Sequence, residues 1–387
     1  MTTNQPLQKW SEQLLNDQLS QWQNQYQGLD GGNLKLDLSR GKPGVEQVSL
    51  SDGLDGVLQG NYIAEDGTDT RNYGGLRGIA EARALGAELM GLPAANVMAA
   101  GNSSLSIMHL VIRTAMDLGL WNDDRLWSNT DKPKVLAPVP GYDRHFSLTN
   151  HFGIELIPIP MNEDGPDMQA AIAAAADPRV KGIWCVPKYA NPTGCTYSDH
   201  VVAALAALPS SAAADDFVVL WDNAYAVHDL YDEADTLASV FDEAAKAGTA
   251  EHVVQFASTS KITHAGAGVA FVAGSTKVLD ALEHHLSILT VGPDKVNQLR
   301  HVKFLQGRLQ AHMADHAAIM RPKFQLVEDV FSRELAGLGI ATWTKPKGGY
   351  FVSLDVNPGL AKKIIAMAKS VGLTLTPAGA TFPNGDD

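Results

Sequence analysis

Three short apolar runs, each ending on a polar side chain, constrain this chain more than any other feature. Gly182-Ile-Trp-Cys-Val186 leads into Asn191-Pro-Thr-Gly194, and Phe217-Val-Val-Leu-Trp221 into Asp222-Asn-Ala-Tyr225. Val253-Val-Gln-Phe-Ala257 leads into Ser258-Thr-Ser-Lys261. Apolar runs of this length read as strands buried on both faces, as in parallel sheets. Strand C-termini of an open parallel sheet share one edge, and ligands bind there. The pattern predicts that an amide, a carboxylate, a phenol, hydroxyls and a lysine converge on one pocket.

The surrounding pattern supports such a sheet. Helical periodicity over Ala80–Met90, Ser104–Leu118, Met168–Ala176 and His200–Leu208 alternates with the strands. Two further strands are expected, Val135–Val139, which ends in Pro140-Gly-Tyr142, and Gly268–Gly274. Alternation of this kind implies an α/β fold, with right-handed crossovers and a mostly parallel sheet covered by helices. Ahead of it, Leu15, Leu19, Trp22 and Tyr26 mark an amphipathic helix over residues 8–28. A short strand at Leu36–Leu38 and a turn at Gly41-Lys-Pro43 follow. From Pro293 to about Leu335 the pattern predicts one long helix, bent at Pro322. Gly348–Leu354 reads as a strand, Ala361–Val371 as a helix and Leu373–Leu375 as a strand, together a small α+β unit.

A length of 387 residues suits two domains. The expected division is an N-terminal helix and arm over 1–55, shared with the small domain, a large ligand-binding domain over 56–305, and a small C-terminal domain over 306–387. A net charge of −13 argues against nucleic-acid or anionic-membrane partners. The two cysteines, Cys185 and Cys195, make neither a disulfide scaffold nor a zinc pattern. The N-terminus has no basic-then-apolar leader, and no run nears 18 apolar residues, so a cytoplasmic protein is expected.

The polar groups have a common chemistry. A buried lysine is deprotonated near neutral pH, forms a Schiff base with a carbonyl, and moves protons as base and acid. A carboxylate closing an apolar strand needs a partner: either a helix N-terminus to cap, or a ring nitrogen that it keeps protonated. Tyr225 and Asn191 supply hydrogen bonds to a phenolate-type oxygen. Gly101-Asn-Ser-Ser104 opens a helix, where backbone N–H groups either receive ordinary caps or bind phosphate. Tyr142 stands where an aromatic ring stacks on a flat ligand or simply packs. Taken together, this is the set that holds pyridoxal 5'-phosphate.

These residues also carry a family resemblance. Gly41-x-Pro43, Tyr73, Tyr142, Asn191-Pro-Thr-Gly194, Asp222-x-x-Tyr225, Ser258-x-Ser260-Lys261 and Gly348-Gly-Tyr-Phe351 occur in the order found in class I aminotransferases. These are pyridoxal-phosphate enzymes of fold type I, and the resemblance spans about residues 35–355. Ser39-Arg-Gly-Lys-Pro-Gly44, Arg71-Asn-Tyr-Gly-Gly75 and Lys261-Ile-Thr-His-Ala-Gly266 look closest to the bacterial aspartate aminotransferases of subgroup Ic. The resemblance implies aspartate:2-oxoglutarate transamination by a ping-pong mechanism. It makes Lys261 the Schiff-base lysine, Asp222 the pyridinium partner, and Asn191 and Tyr225 the phenolate-oxygen donors. Tyr142 becomes the stacking ring. Asn102, Ser103, Ser104 and Ser258 contact the cofactor's phosphate, Ser260 also binds the cofactor, and Gly41 and Asn191 touch substrate. Tyr73 reaches the cofactor of a second subunit, which implies a homodimer with shared sites.

The sequence departs from the family pattern in two places. The phosphate-gripping arginine expected some eight residues after the lysine is replaced by Gly266-Ala-Gly-Val269, which leaves hydroxyls, backbone N–H groups and Thr263 or His264. The arginine that binds the substrate α-carboxylate near the family's C-terminus is also missing. A tail beyond Asn384-Gly-Asp-Asp387 is expected to supply it, with Arg40 or Lys188 as alternatives. Arg77, Lys295 and Arg300 are candidates for a second substrate carboxylate. Rival readings are an aminotransferase for aromatic or other amino acids, a pyridoxal-phosphate β-lyase, and the sensor domain of a transcription regulator. The last needs a basic segment ahead of the fold, which the roughly 35 acidic-to-neutral residues before the first motif do not provide.

Overall fold

A computed structural model describes residues 5–29, 34–121 and 123–385. After a helix over Glu12–Gln27 and a strand β1 (Leu36–Leu38), helices alternate with the strands of one large sheet. These are β2 (Val97–Ala99), β3 (Lys134–Val139), β4 (Glu155–Asn162), β5 (Gly165–Pro166), β6 (Val180–Cys185), β7 (Val218–Asp222), β8 (Val253–Ser258) and β9 (Ala270–Ala273). Their spatial order is β2-β9-β8-β7-β6-β3-β4-β5. From β8 through β4 every neighbouring pair is parallel, whereas β9 runs antiparallel to both β8 and β2.

The connection order reverses between β3 and β6. β4 lies on one side of β3, and β6, β7 and β8 step away on the other. Connections on either side of such a reversal leave in opposite directions and open a crevice beyond the strand C-termini. Tyr142 follows β3, Asn191 follows β6 and Asp222 ends β7, so all three lie along that edge.

Side-chain alternation in the strands divides the interior into two layers. Val218 and Leu220 join Trp184, Val254 and Phe256 in one core. Helices Ser104–Asp117 and Thr276–Leu289 cover it with Ile107, Val111, Val278 and Leu282. Val219 and Trp221 join Ile183 and Cys185 in the other. Helices Met168–Ala175, Asp199–Ser211 and Val240–Ala247 cover that face with Ala171, Val202, Leu205 and Ala244. Cys185 is plain core, and its burial pushes the thiol far above its ordinary range. A third cluster, around Phe271, Leu299, Leu305 and Met313, joins helices Ala80–Met90 and Lys295–Leu305 to the end of the sheet.

The ends of the chain meet in a smaller unit. β1 pairs in parallel with β12 (Leu373–Leu375), and β10 (Ala341–Trp343) pairs antiparallel with β11 (Leu354–Val356). The Tyr26 hydroxyl donates to the Met367 carbonyl at 3.0 Å, docking the first helix on the helix Ala361–Ser370. Among the described residues, no helix is long and apolar enough to cross a membrane.

Two expectations from the sequence are corrected. The long helix is two helices, Lys295–Leu305 and Leu309–Glu334. Gly307 between them has φ +67°, a left-handed turn that ends one helix and redirects the chain. Pro322 is accommodated inside the second helix. The segment Gly348–Leu354 is mostly a turn, and its strand starts only at Leu354. Gly349 has φ +76°, and a Cβ on Gly348 would lie 2.1 Å from the Tyr189 ring, so both glycines are needed where this turn presses on Tyr189.

Gly182 offers a test of the sheet. A Cβ there would meet the Val218 carbonyl oxygen of the neighbouring strand at 2.6 Å. Backbone in the middle of a sheet cannot step aside, so Gly182→Ala is expected to cost about 1–3 kcal/mol. Thermal unfolding of the variant measures this, and a midpoint equal to that of the wild type would mean that β6 and β7 are looser than described.

Candidate active site

Asp222 closes β7 and is 4 % exposed. Burying a carboxylate is costly unless it is hydrogen-bonded. One oxygen, Oδ2, lies 3.0 Å from Nε2 of buried His145, and the other, Oδ1, has no hydrogen-bond partner within the protein. His145 is clamped in turn. Its ring stacks on Trp184 at 4.2 Å and 10°, and the Tyr142 ring meets its edge at 5.0 Å. Trp184 Nε1 donates to the Thr149 hydroxyl at 2.9 Å, and that hydroxyl donates to the His145 carbonyl at 2.7 Å. The arrangement fixes the carboxylate and leaves one oxygen for a cationic N–H such as a pyridinium.

Lys261 lies in the loop after β8. Its Nζ sits 5.0 Å from the centroid of the Tyr225 ring. Burial lowers the pKa of its amine, and the negative charge of Asp222 opposes that shift. Tyr225 is 2 % exposed, and burial raises its phenol well above the ordinary value. Burial and the nearby Asp222 likewise push Tyr142 up to about 12. Both phenols therefore stay protonated as donors near neutral pH. Tyr350 and Phe351 flank Tyr225 at 6.1 and 6.4 Å. A Cβ on Gly41 would meet the Phe351 ring at 2.6 Å, which brings the Ser39–Gly44 turn onto the same wall.

The Gly101–Ser104 helix start faces the lysine loop. Asn102 Nδ2 donates to the Gly266 carbonyl at 3.1 Å, and the Ser260 hydroxyl donates to the Asn102 carbonyl at 3.3 Å. Ser103 precedes the helix Ser104–Asp117 without a side-chain cap, so the first-turn N–H groups are not taken by its hydroxyl. The Ser258 hydroxyl accepts from the Ser260 N–H at 3.4 Å. Thr263 does not fit the phosphate role considered for it. It is wholly buried, and its hydroxyl is engaged by the Thr259 carbonyl and His301 Nε2. The Asn191 turn packs on the wall through Gly194, whose Cβ would lie 2.7 Å from Pro346. Tyr73 projects away from its own chain, 83 % exposed.

Most of the candidate substrate cations are occupied. Arg77 pairs with Asp280 and Glu283. Lys188 pairs with Asp229 at 2.7 Å and also donates to the Ala226 carbonyl. Buried Lys295 donates to the carbonyls of Asn72 and Gly74, and Arg300 pairs with Asp55. Arg40 differs. It pairs with Asp143 at 2.7 Å but remains 44 % exposed, and its charge acts on the Tyr142 hydroxyl.

The sequence motifs include Tyr350 only within Gly348-Gly-Tyr-Phe351, and they do not include His145, His228 or Gln47. His145 had a signal, since it lies three residues beyond Tyr142, one helical turn into the helix Asp143–His151. The others come from distant segments. No group of three or more His, Cys, Asp or Glu among the described residues could hold a metal ion.

A model of the aspartate aminotransferase family matches residues 10–387. A putative aminotransferase of Mycolicibacterium smegmatis is 48 % identical over 371 residues, which is 94 % of this chain and 86 % of that protein. An aspartate aminotransferase of Corynebacterium glutamicum is 46 % identical over 362 residues, 93 % and 83 % of the two chains. The crystal structure of an aspartate transaminase from Corynebacterium glutamicum superposes with a TM-score of 0.94 at 43 % identity, covering 100 % of this chain and 91 % of that one. With the α/β architecture and the polar edge described above, these likenesses assign the chain to the aspartate aminotransferase family, whose members are fold-type I, class I aminotransferases.

Proposed function

We propose that this enzyme binds pyridoxal 5'-phosphate and transfers the amino group of aspartate to 2-oxoglutarate. One observation carries the proposal: a rigidly held buried carboxylate with one unpartnered oxygen, and a partly buried lysine of lowered pKa, stand at the same sheet edge. The residues fit the cofactor. Asp222 Oδ1 would take the ring N–H, Tyr142 would stack, Tyr225 and Asn191 would donate to the ring oxygen, and Asn102, Ser103, Ser104, Ser258 and Ser260 would line the phosphate. When bound, the cofactor supplies an electron-withdrawing ring for the charge that develops at the substrate α-carbon.

Each residue then has a task. Asp222 keeps a proton on the ring nitrogen, and His145 keeps Asp222 in place. Lys261 Nζ would hold the cofactor, and its amine of lowered pKa would serve as the base and acid that moves the substrate α-proton. Tyr225, which stays protonated, donates to the ring oxygen. Gly41 and Asn191 orient the substrate, and Arg40 takes one of its carboxylates by exchange from Asp143.

The surface supports the reading of a second subunit. Tyr73, Ile288, Leu289 and Val291 are exposed apolar residues, and Gly74 N–H bonds to the Val291 carbonyl at 2.9 Å, so the two segments adjoin. We assign this patch to a homodimer in which Tyr73 reaches the partner's cofactor. The enzyme is further read as cytoplasmic.

Four outcomes are expected. The purified protein is yellow, borohydride fixes the cofactor on the peptide that carries Lys261, and Lys261→Ala slows transamination by at least roughly 10²–10⁴-fold. Mass mapping to another lysine would overturn the assignment. Asp222→Ala retains some cofactor but loses most turnover, and wild-type turnover in that variant would reduce Asp222 to a structural cap. Arg40→Gln raises the KM for aspartate by at least roughly tenfold, since a charge-assisted partner is lost; an unchanged KM would place the carboxylate elsewhere. Light scattering at working concentration should report a dimer, and a monomer would sink the shared-site reading.

A further inference from the structure

The lysine loop is held from behind by imidazoles. The Ile262 carbonyl lies 2.7 Å from His312 Nε2 and 2.8 Å from His316 Nε2. The two histidines stand one helical turn apart on Leu309–Glu334, with their rings edge to face at 4.9 Å. A carbonyl can only accept, so both rings carry their proton on Nε2 and leave Nδ1 as an acceptor. Gln47 uses this, with its Nε2 3.4 Å from His316 Nδ1 and 2.8 Å from the Tyr350 hydroxyl. Its Oε1 accepts the Gly44 N–H at 3.0 Å. The Tyr350 hydroxyl and His228 Nε2 approach the Lys261 carbonyl at 3.4 and 3.3 Å, and His301 Nε2 lies 2.9 Å from the Thr263 hydroxyl.

We propose that His312 and His316 are positioning residues for Lys261: their paired donation to the Ile262 carbonyl sets where the lysine amine stands, and Gln47 ties that setting to the Gly41–Gly44 turn. The inference rests on the reading of Lys261 as the reactive amine. Residues 261–263 lie in neither ladder nor helix, so their buried backbone groups need donors from elsewhere. Apolar packing would fill the space but would leave the Ile262 carbonyl bare. Two donors on one oxygen fix that peptide in two directions and so fix the base of the lysine side chain. Small displacements of a reacting group cost roughly 10²-fold in rate.

The same geometry is sensitive to acid. A proton on His316 Nδ1 would face the Gln47 amide N–H₂, donor against donor, and break the tie. His312, Asp315 and Arg308 act on these rings from their own helix, and Lys261, Lys188 and His228 lie in the facing segments. Burial lowers His316 from 6.5 to about 4. It therefore stays neutral in the folded protein while the unfolded chain takes up a proton. The stability it contributes is complete above pH 6.5 and is lost as pH falls from there through about 4.

The test compares His316→Gln, whose amide nitrogen takes the place of Nε2, with His316→Leu, which fills the space without a donor. Both are measured as holoenzymes with aspartate and 2-oxoglutarate. In His316→Leu, kcat is expected to fall roughly 10- to 100-fold with little change in the KM for aspartate. The pH midpoint of the lysine-linked cofactor absorbance should also move by at least about half a unit. His316→Gln should restore both, while its stability falls less steeply than that of the wild type between pH 6.5 and 4. If the leucine variant does not fold, His316→Asn, a shorter amide that cannot reach Ile262, should show the same loss. A folded Leu or Asn variant with wild-type kcat and midpoint overturns the proposal. A wild-type protein without lysine-linked absorbance overturns both this inference and the functional reading beneath it.

Discussion

The site depends on the confinement of one carboxylate. Asp222 ends a strand whose other residues are apolar and buried, so solvent cannot stabilise its charge. Everything around it answers that condition. His145 holds one oxygen, Trp184 and Tyr142 hold His145, and Thr149 ties Trp184 back to the helix that carries the histidine. A carboxylate fixed in this way keeps a strong field in a region of low polarizability, where an opposite charge is worth far more than in water. The same field acts on Lys261 and on both phenols. The pocket is thus an electrostatic unit in which burial and the Asp222 charge set the protonation of each member.

Much of this could be read along the chain because it is local. An apolar run followed by a polar residue places that residue at the strand end, whatever the rest of the fold does. Asp222, Tyr225 and Lys261 were found that way, and β7 and β8 end within a residue of the expected positions. The helices over Ala80–Met90 and Ser104–Asp117 follow from plain periodicity. What escaped was non-local. His312 and His316 reach the Ile262 carbonyl across 50 and 54 residues, and Gln47 meets His316 and Tyr350 across 269 and 303, with no spacing rule to link them. The break at Gly307 was missed because the apolar pattern continues through it, so periodicity outweighed a single glycine. The turn at Gly348 was read as a strand because its aromatic neighbours imitate one. Thr263 was offered to the phosphate because a hydroxyl in a loop looks available, and only the structure shows it pointing into the core.

Histidines recur around this site, yet they do different work. His145 is pinned between a carboxylate and an indole. His228, lowered to about 3 by burial and the nearby Lys261 charge, must stay neutral. His312 and His316 brace the Ile262 carbonyl, and His301 meets the Thr263 hydroxyl. Burial lowers His228, His301, His312 and His316, so these four add no charge near neutral pH to a pocket that already contains a lysine. An arginine or lysine in these places would give a stronger hydrogen bond, but it would also raise the positive potential and disturb the balance between Asp222 and Lys261.

The parallel pairing of β1 with β12 joins Leu36 to Leu373. These strands lie at opposite ends of the sequence, so their contact closes a loop containing almost the entire chain. A ribosome releases β1 early and β12 late. During that interval the large sheet can assemble from neighbouring segments, while the arm that carries Arg40 and Gly41 has no strand to pair with. Non-local closures of this kind are slow and come late. The wall that carries Arg40 and Gly41 therefore closes late, after the segments that carry Lys261 and Asp222.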